Sequence, residues 1–134
     1  MIQPTRVPIS SDADIVAARQ LARTLAVQAG FAGSDLTLIA TAISEIARNI
    51  VTYAGHGHMT MELCEREGRR GIVVDAHDDG PGIPDVDQAM RDGYSTGRSL
   101  GLGLPGARRL MDEFEIASTL GKGTTIIMRK WVRR

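Results

Sequence analysis

Residues 44–54, SEIARNIVTYA, set polar side chains along one face of a strongly apolar segment. Helical spacing places Glu45, Arg48 and Asn49 at i, i+3 and i+4, so their side chains share one face. Isoleucines and alanines fill the opposite side, which predicts that this side packs against a core. The stretch therefore predicts a long helix that presents a carboxylate, a guanidinium and an amide together.

The composition predicts one domain, residues 1–134, in the cytoplasm. The chain has 16 basic and 16 acidic residues, so a general affinity for nucleic acid or anionic membrane is not expected. Its single cysteine, Cys64, excludes an internal disulfide and fits a reducing compartment. No apolar run reaches the ~20 residues of a membrane span, and the N-terminus lacks the apolar region of a signal peptide.

Hydrophobic periods and turn residues on both sides of this helix predict a two-layer α+β sandwich, with helices on one face of a mixed, mainly antiparallel sheet. Ser11 and Asp14 have the spacing of a capping box, Gly30 ends the first helix, and Ser34 is predicted to cap the second. The predicted order is a strand (5–10), two helices (11–30 and 35–54), two strands (59–67 and 71–78), a long irregular loop (80–103), a helix (105–114) and a closing hairpin (115–132).

Residues 78–82, DDGPG, follow an apolar strand. Asp78, with Gly80 and Gly82 after it, can hold a carboxylate at the mouth of a pocket while the backbone bends around a flat ligand. A carboxylate accepts hydrogen bonds from an exocyclic amine such as the 6-amino group of adenine. Asp, Gly and Pro also make ordinary turns, so this stretch alone leaves both interpretations open.

Residues 101–106, GLGLPG, form a glycine loop that leads into a helix. A dinucleotide fold would need a strand directly before this loop and an acidic residue about 20 positions later, and the sequence has neither. The unpaired N–H groups at a helix N-terminus bind phosphate. The loop is therefore a phosphate-site candidate or only a flexible entry to a helix.

The sequence does not match several other metal-binding and catalytic motifs. An EF-hand that starts at Asp75 would place Val86 where a bidentate glutamate is required. His56, His58 and His77 have poor spacing for zinc, and a surface turn is the simpler interpretation. The H-R-D and D-F-G motifs of eukaryotic-type protein kinases are absent, as is the G-x-S-x-G elbow.

The polar face of residues 44–54 also fits a metal-nucleotide site. The Asn49 amide oxygen suits a partly hydrated Mg²⁺ that nucleotide phosphates also hold, and Glu45 can take a proton from an attacking hydroxyl. A helix with one solvated face gives the same pattern. The interpretation therefore depends on the other motifs.

Taken together, the motifs resemble those of the GHKL (Bergerat-fold) ATPase family. E-x-x-x-N at 45–49, D-x-G-x-G at 78–82, G-x-G-L at 101–104 and G-x-G-T at 121–124 stand in that family's order. In its small size and in the residues in and around these motifs, the chain resembles the switch serine-protein kinases of the RsbT type. Anti-sigma kinases usually carry a histidine where this chain has Tyr53.

The resemblance implies a role for each matching residue. Glu45 would be the general base, Asn49 the Mg²⁺ ligand, and Arg48 could face the γ-phosphate. The adenine end would be formed by Asp78 and Thr124, with close backbone approach at Gly80 and Gly82 and with Ile83 beside them. The phosphate end would consist of Gly101, Leu102, Gly103 and Leu104, with Arg98 as a possible contact from an ATP lid at 85–100.

The resemblance also implies an activity and partners. The chain would transfer the γ-phosphoryl group of ATP to Ser or Thr of STAS-domain proteins of the RsbS and RsbR type in the stressosome. Once released, it would bind and activate an RsbU-type PP2C phosphatase in a bacterial stress response. The alternatives are an anti-sigma factor kinase of the RsbW or SpoIIAB type and a nucleotide-dependent binding protein with little catalysis.

Overall fold

One antiparallel sheet of five strands forms the first layer of the protein. The computed structural model describes residues 4–91 and 103–133. Side by side, the strands follow the order β1-β2-β3-β5-β4, and every neighbouring pair is antiparallel. Their bounds are β1 (Thr5–Ile9), β2 (Gly57–Arg66), β3 (Arg69–Asp78), β4 (Glu113–Thr119) and β5 (Gly123–Trp131).

The first helix, α1 (Asp12–Ala29), begins and ends where the sequence predicts. The Asp14 N–H donates to Ser11 Oγ at 3.4 Å, which satisfies one of the unpaired N–H groups of the first turn. Gly30 follows in the left-handed region at φ 106°, and its N–H donates to carbonyls of the last turn. Among the described residues, no helix is both long enough and apolar enough to cross a membrane.

The second helix, α2 (Ser34–Asn49), continues into a π-helical turn (Ile50–Ala54). The predicted helix over 35–54 is therefore correct as far as Asn49, and its last turn is wider than expected. The Gly55 N–H donates to the Ile50 carbonyl at 2.9 Å, which is the i to i+5 pattern of a π-turn. The predicted Ser34 cap is wrong, because Ser34 is already helical and the cap position belongs to Gly33, which has no side chain.

The second half of the chain adds a short helix, α3 (Val86–Ala89), and then α4 (Gly103–Leu110). The helix predicted over 105–114 ends earlier, because strand pairing takes over after Leu110. The Asp112 N–H donates to the Arg129 carbonyl at 2.9 Å, and Phe114 pairs with Met128 in the β4–β5 register. Phe114 therefore lies on a strand. The predicted closing hairpin is confirmed, but its turn lies at 120–122 rather than at GKG (121–123), because Gly123 pairs with Thr119.

The helices cover one face of the sheet. The sheet side chains buried in the core include Met59, Met61, Ile72, Val74 and Met128, and α1, α2 and α4 pack over them.

Alternate residues of the strands point to the other face, where His58 of β2 lies opposite His77 of β3. Their rings are 5.4 Å apart. The predicted surface turn of three histidines is thus wrong for these two, because strand register brings them together.

Candidate active site

Asp78 and Thr124 face each other across the β3–β5 ladder. Both are buried, with 7% and 6% of their surface exposed. Asp78 Oδ1 accepts a hydrogen bond from the Gly80 N–H at 2.9 Å. Among the described residues, no hydrogen bond engages Asp78 Oδ2, and no fully buried side-chain polar atom lacks a partner. Asp78 Oδ2 is therefore an acceptor without a hydrogen-bond partner in the described part of the chain.

Ser118 ties Thr124 to the loop that carries Ile83, a role that the sequence motifs do not show. Ser118 Oγ lies 2.9 Å from Thr124 Oγ1 and accepts a hydrogen bond from the Ile83 N–H at 2.7 Å. Ser118 and Thr124 are direct partners across the β4–β5 hairpin. The sequence gives no direct signal for Ser118, because a turn at GKG (121–123) would pair Thr124 with Leu120, whereas the observed turn lies at 120–122 and Gly123 pairs with Thr119.

Three glycines mark places where chain segments of this site touch. A Cβ on Gly80 would lie 2.6 Å from the Ala54 Cβ of the π-turn. A Cβ on Gly82, at φ 79°, would meet the Thr119 carbonyl. A Cβ on Gly123, at φ 118°, would meet the Asp78 carbonyl. The end of α2, the DDGPG loop and the last hairpin therefore converge around Asp78.

The other end of the site joins α2 to α4. Glu45 Oε2 accepts a hydrogen bond of 3.1 Å from the Gly103 N–H, the first residue of α4. Glu45 Oε1 accepts from Arg48 Nη1, also at 3.1 Å. The Glu45 side chain is 11% exposed, whereas that of Arg48 is 52% exposed. Two donors from two helices thus fix this carboxylate at a helix N-terminus, where negative charge is favoured.

The α2 axis connects the two ends. Glu45 contacts α4, and Ala54, nine residues later, lies against Gly80. At 1.5 Å per residue these contacts are about 13 Å apart along the helix. Asn49 is half-buried one turn after Glu45, on the same face and between the two ends.

Of the predicted glycine loop, Gly103 and Leu104 lie in α4, and Leu104 is buried. Gly101, Leu102 and Arg98 lie outside the described residues.

The first part of the predicted lid, residues 85–91, contains α3. Asp85 caps α3 by accepting from the Gln88 N–H at 3.0 Å, and Arg108 of α4 donates to the Met90 carbonyl at 3.4 Å. A cavity of about 620 Å³ lies between α3, α4 and β4, lined by apolar Phe114 and Ile116 and by two arginines, Arg91 and Arg108. None of the predicted site residues in the described ranges lines this cavity.

Comparison with known proteins identifies the family. Residues 9–130 match the family model of the histidine kinase-like ATPase domain. The chain belongs to this family. The GHKL resemblance of the four motifs is thereby confirmed, as is the α+β sandwich that the motifs and the hydrophobic periods predict.

Individual proteins within the histidine kinase-like ATPases are also similar to this chain. The serine/threonine-protein kinase RsbT of Bacillus subtilis (strain 168) is 51% identical over 127 residues, which cover 95% of this chain and 96% of that protein. An anti-sigma F factor of Caldanaerobacter subterraneus subsp. tengcongensis is 31% identical over 123 residues, with 87% and 85% covered. The mycobacterial sensor histidine kinase MprB is similar in fold, with a TM-score of 0.57 over 99% of both chains and 14% identity.

Proposed function

We propose that this histidine kinase-like ATPase is a serine/threonine-protein kinase of a bacterial partner-switching pathway. The observation that carries the proposal is the two-ended site. Asp78 offers a carboxylate oxygen, Oδ2, that has no hydrogen-bond partner among the described residues, and at the other end Glu45 accepts from the first N–H of α4. The 51% identity to the kinase RsbT over nearly the whole chain supports the same activity.

The side chains present suit a magnesium nucleotide. Asp78 Oδ2 would accept from the adenine amino group, with Thr124 beside it. The N–H of Gly103 would donate to a phosphate oxygen, as N–H groups at helix N-termini do. Asn49 would supply one amide oxygen to Mg²⁺, which prefers oxygen ligands and is commonly shared with phosphates. When bound, the metal would neutralise charge on the phosphates.

Glu45 is the proposed general base for the hydroxyl that accepts the phosphate. In the transfer, the hydroxyl oxygen of a serine or threonine forms a bond to the γ-phosphorus while the bond to ADP breaks. The hydroxyl proton passes to the Glu45 carboxylate, which acts as general base. Arg48 donates to the same carboxylate at 3.1 Å and so limits its orientation.

The partners follow from the same proposal. STAS-domain proteins of the RsbS and RsbR type would accept the phosphate, and an RsbU-type PP2C phosphatase would bind the released kinase. Phosphate adds up to about two negative charges at such an interface and weakens it by repulsion and desolvation. The proposal places residues 1–134, as one catalytic domain, in the cytoplasm.

Incubation with Mg-ATP and a STAS protein tests the activity by intact mass. The wild-type chain should add one phosphate to the STAS protein, and Glu45→Ala should add none while it still binds nucleotide. Glu65→Ala is the matched control, because Glu65 is an exposed carboxylate on β2. Equal transfer by Glu45→Ala and wild type would overturn the assignment of the base.

An anti-sigma factor kinase is the second candidate, supported by the 31% identity to an anti-sigma F factor. The half-exposed Tyr53 stands where such kinases usually carry histidine. Binding of a sigma factor in a pull-down would favour this candidate. The third candidate, a nucleotide-dependent binding protein, requires that partner exchange continue in Glu45→Ala.

A further inference from the structure

The carboxylate of Glu45 accepts a hydrogen bond from the Gly103 N–H, the same N–H group that would bind a nucleotide phosphate. The Gly103 N–H belongs to the first turn of α4, where backbone N–H groups have no partner within the helix. In this structure its acceptor is Glu45 Oε2 at 3.1 Å, from a residue 58 positions earlier in the chain. A carboxylate and a phosphate oxygen are both anionic acceptors, so they compete for this donor.

Glu45 has a second partner that does not depend on α4. Arg48 Nη1 donates to Oε1 from within α2, one turn away. Loss of the Gly103 contact would therefore free one oxygen, Oε2, while Arg48 continues to hold the other. An oxygen that accepts a backbone hydrogen bond is less available to take a proton from a hydroxyl than the same oxygen without one.

We propose that Glu45 exchanges partners when a triphosphate binds. In this structure its carboxylate accepts a hydrogen bond from the Gly103 N–H at the N-terminal end of α4. The triphosphate takes this N–H, and Glu45 Oε2 then becomes the free oxygen of the base while Arg48 keeps Oε1. The inference rests on the proposed function, because it assumes that a nucleotide phosphate reaches α4.

The exchange has a measurable consequence, because Glu45 competes with the nucleotide phosphate for the Gly103 N–H. Removal of the contact should tighten the binding of a non-hydrolysable ATP analogue with Mg²⁺ by about fivefold, the factor that a typical net hydrogen bond corresponds to. A base that acts only in catalysis would leave this affinity unchanged when it is removed.

Two substitutions at Glu45 separate the contact from the charge. Glu45→Asp keeps the charge but is one methylene too short to reach the Gly103 N–H. Glu45→Gln removes the charge and keeps an acceptor oxygen at the same reach. The ¹⁵N and ¹H shifts of the Gly103 amide in the nucleotide-free protein report which variant breaks the contact.

Calorimetry then measures the affinity of each variant for the ATP analogue, which tests the exchange. The proposal predicts tighter binding for Glu45→Asp, which frees the Gly103 amide, and near wild-type affinity for Glu45→Gln, which retains the contact. Tighter binding for Glu45→Gln with no change for Glu45→Asp would mean charge repulsion and would overturn the exchange. These outcomes require no phosphoryl transfer, so failure of the proposed kinase activity would be seen separately.

Discussion

Lys130 Nζ donates a hydrogen bond of 2.9 Å to the carbonyl of Leu110, the last residue of α4. Lys130 is only 4% exposed, and the Asp112 carboxylate lies 3.9 Å from its amine. A buried cation thus satisfies the C-terminal end of the helix whose first N–H contacts Glu45. The two contacts thus link both ends of α4 to other elements of the fold.

Lys130→Met is expected to lower the free energy of unfolding by about 1–3 kcal/mol, because the Leu110 carbonyl loses its donor in a buried setting. Urea unfolding measures the loss. Lys122→Met in the exposed hairpin turn is the control and should stay within about 0.5 kcal/mol of wild type. Equal stability of the two variants would show that Lys130 does not hold α4.

Asp78→Ala is expected to weaken nucleotide binding at least tenfold, since it removes both the Oδ2 acceptor and the partner of the Gly80 N–H. Isothermal titration calorimetry with ADP measures the effect. Asp75→Ala is the matched control, because Asp75 lies on the same strand but is exposed on the opposite face. Wild-type affinity in Asp78→Ala would place the adenine site elsewhere.

Gly123→Ala is expected to damage both stability and nucleotide binding, because its Cβ would collide with the carbonyl of Asp78. Gly121→Ala, in the same hairpin, shares a positive φ but has nothing within 4 Å of the new Cβ. Its cost should be limited to backbone strain of about 1–3 kcal/mol, with nucleotide affinity retained. Thermal unfolding and calorimetry compare the two, and equal affinity in both variants would contradict the close packing at Asp78.

His58 should make stability depend on pH. Burial, and then the charge of Arg6, lower the pKa of His58 below its usual 6.5. Arg6 Nη2 can only donate, so its 3.2 Å contact requires a neutral acceptor at His58 Nδ1. His77 opposes protonation, whereas Asp75 and Asp79 favour it.

The unfolded chain therefore binds the proton more readily, and stability should fall as pH drops below 6.5 and level off below the pKa of the folded state. His58→Gln should flatten this decrease in urea unfolding curves collected across pH. His56→Gln, at an exposed position, should leave the decrease as it is in wild type. An unchanged pH dependence in His58→Gln would assign the effect to another group.

Local signals in the sequence predict most of the fold. The Ser11 cap and the left-handed Gly30 fix the ends of α1, and the glycines near 121–123 predict the last hairpin, although its turn lies one residue earlier, at 120–122. The end of α4 could not be predicted, because Phe114 fits the helical period and only its pairing with Met128 makes it part of a strand. The π-turn after Asn49 likewise has no signal in the local pattern.

The candidate site was predictable in its residue types but not in its contacts. Asp78 and Thr124 could be chosen from motifs, whereas the role of Ser118 depends on strand register. The contact between Glu45 and Gly103 joins residues 58 positions apart and arises only when α4 packs against α2. Non-local contacts of this kind cannot be predicted from the spacing of residues in the sequence.

The central claim is that one nucleotide spans the distance from Asp78 to Gly103, and amide chemical shifts test it most directly. Adenosine should move the amide signals of Gly80 and Thr124 and leave that of Gly103 in place, because it lacks phosphates. A magnesium-bound, non-hydrolysable ATP analogue should move all three. If the analogue leaves Gly103 unchanged, or adenosine leaves both Gly80 and Thr124 unchanged, the two ends do not belong to one nucleotide site.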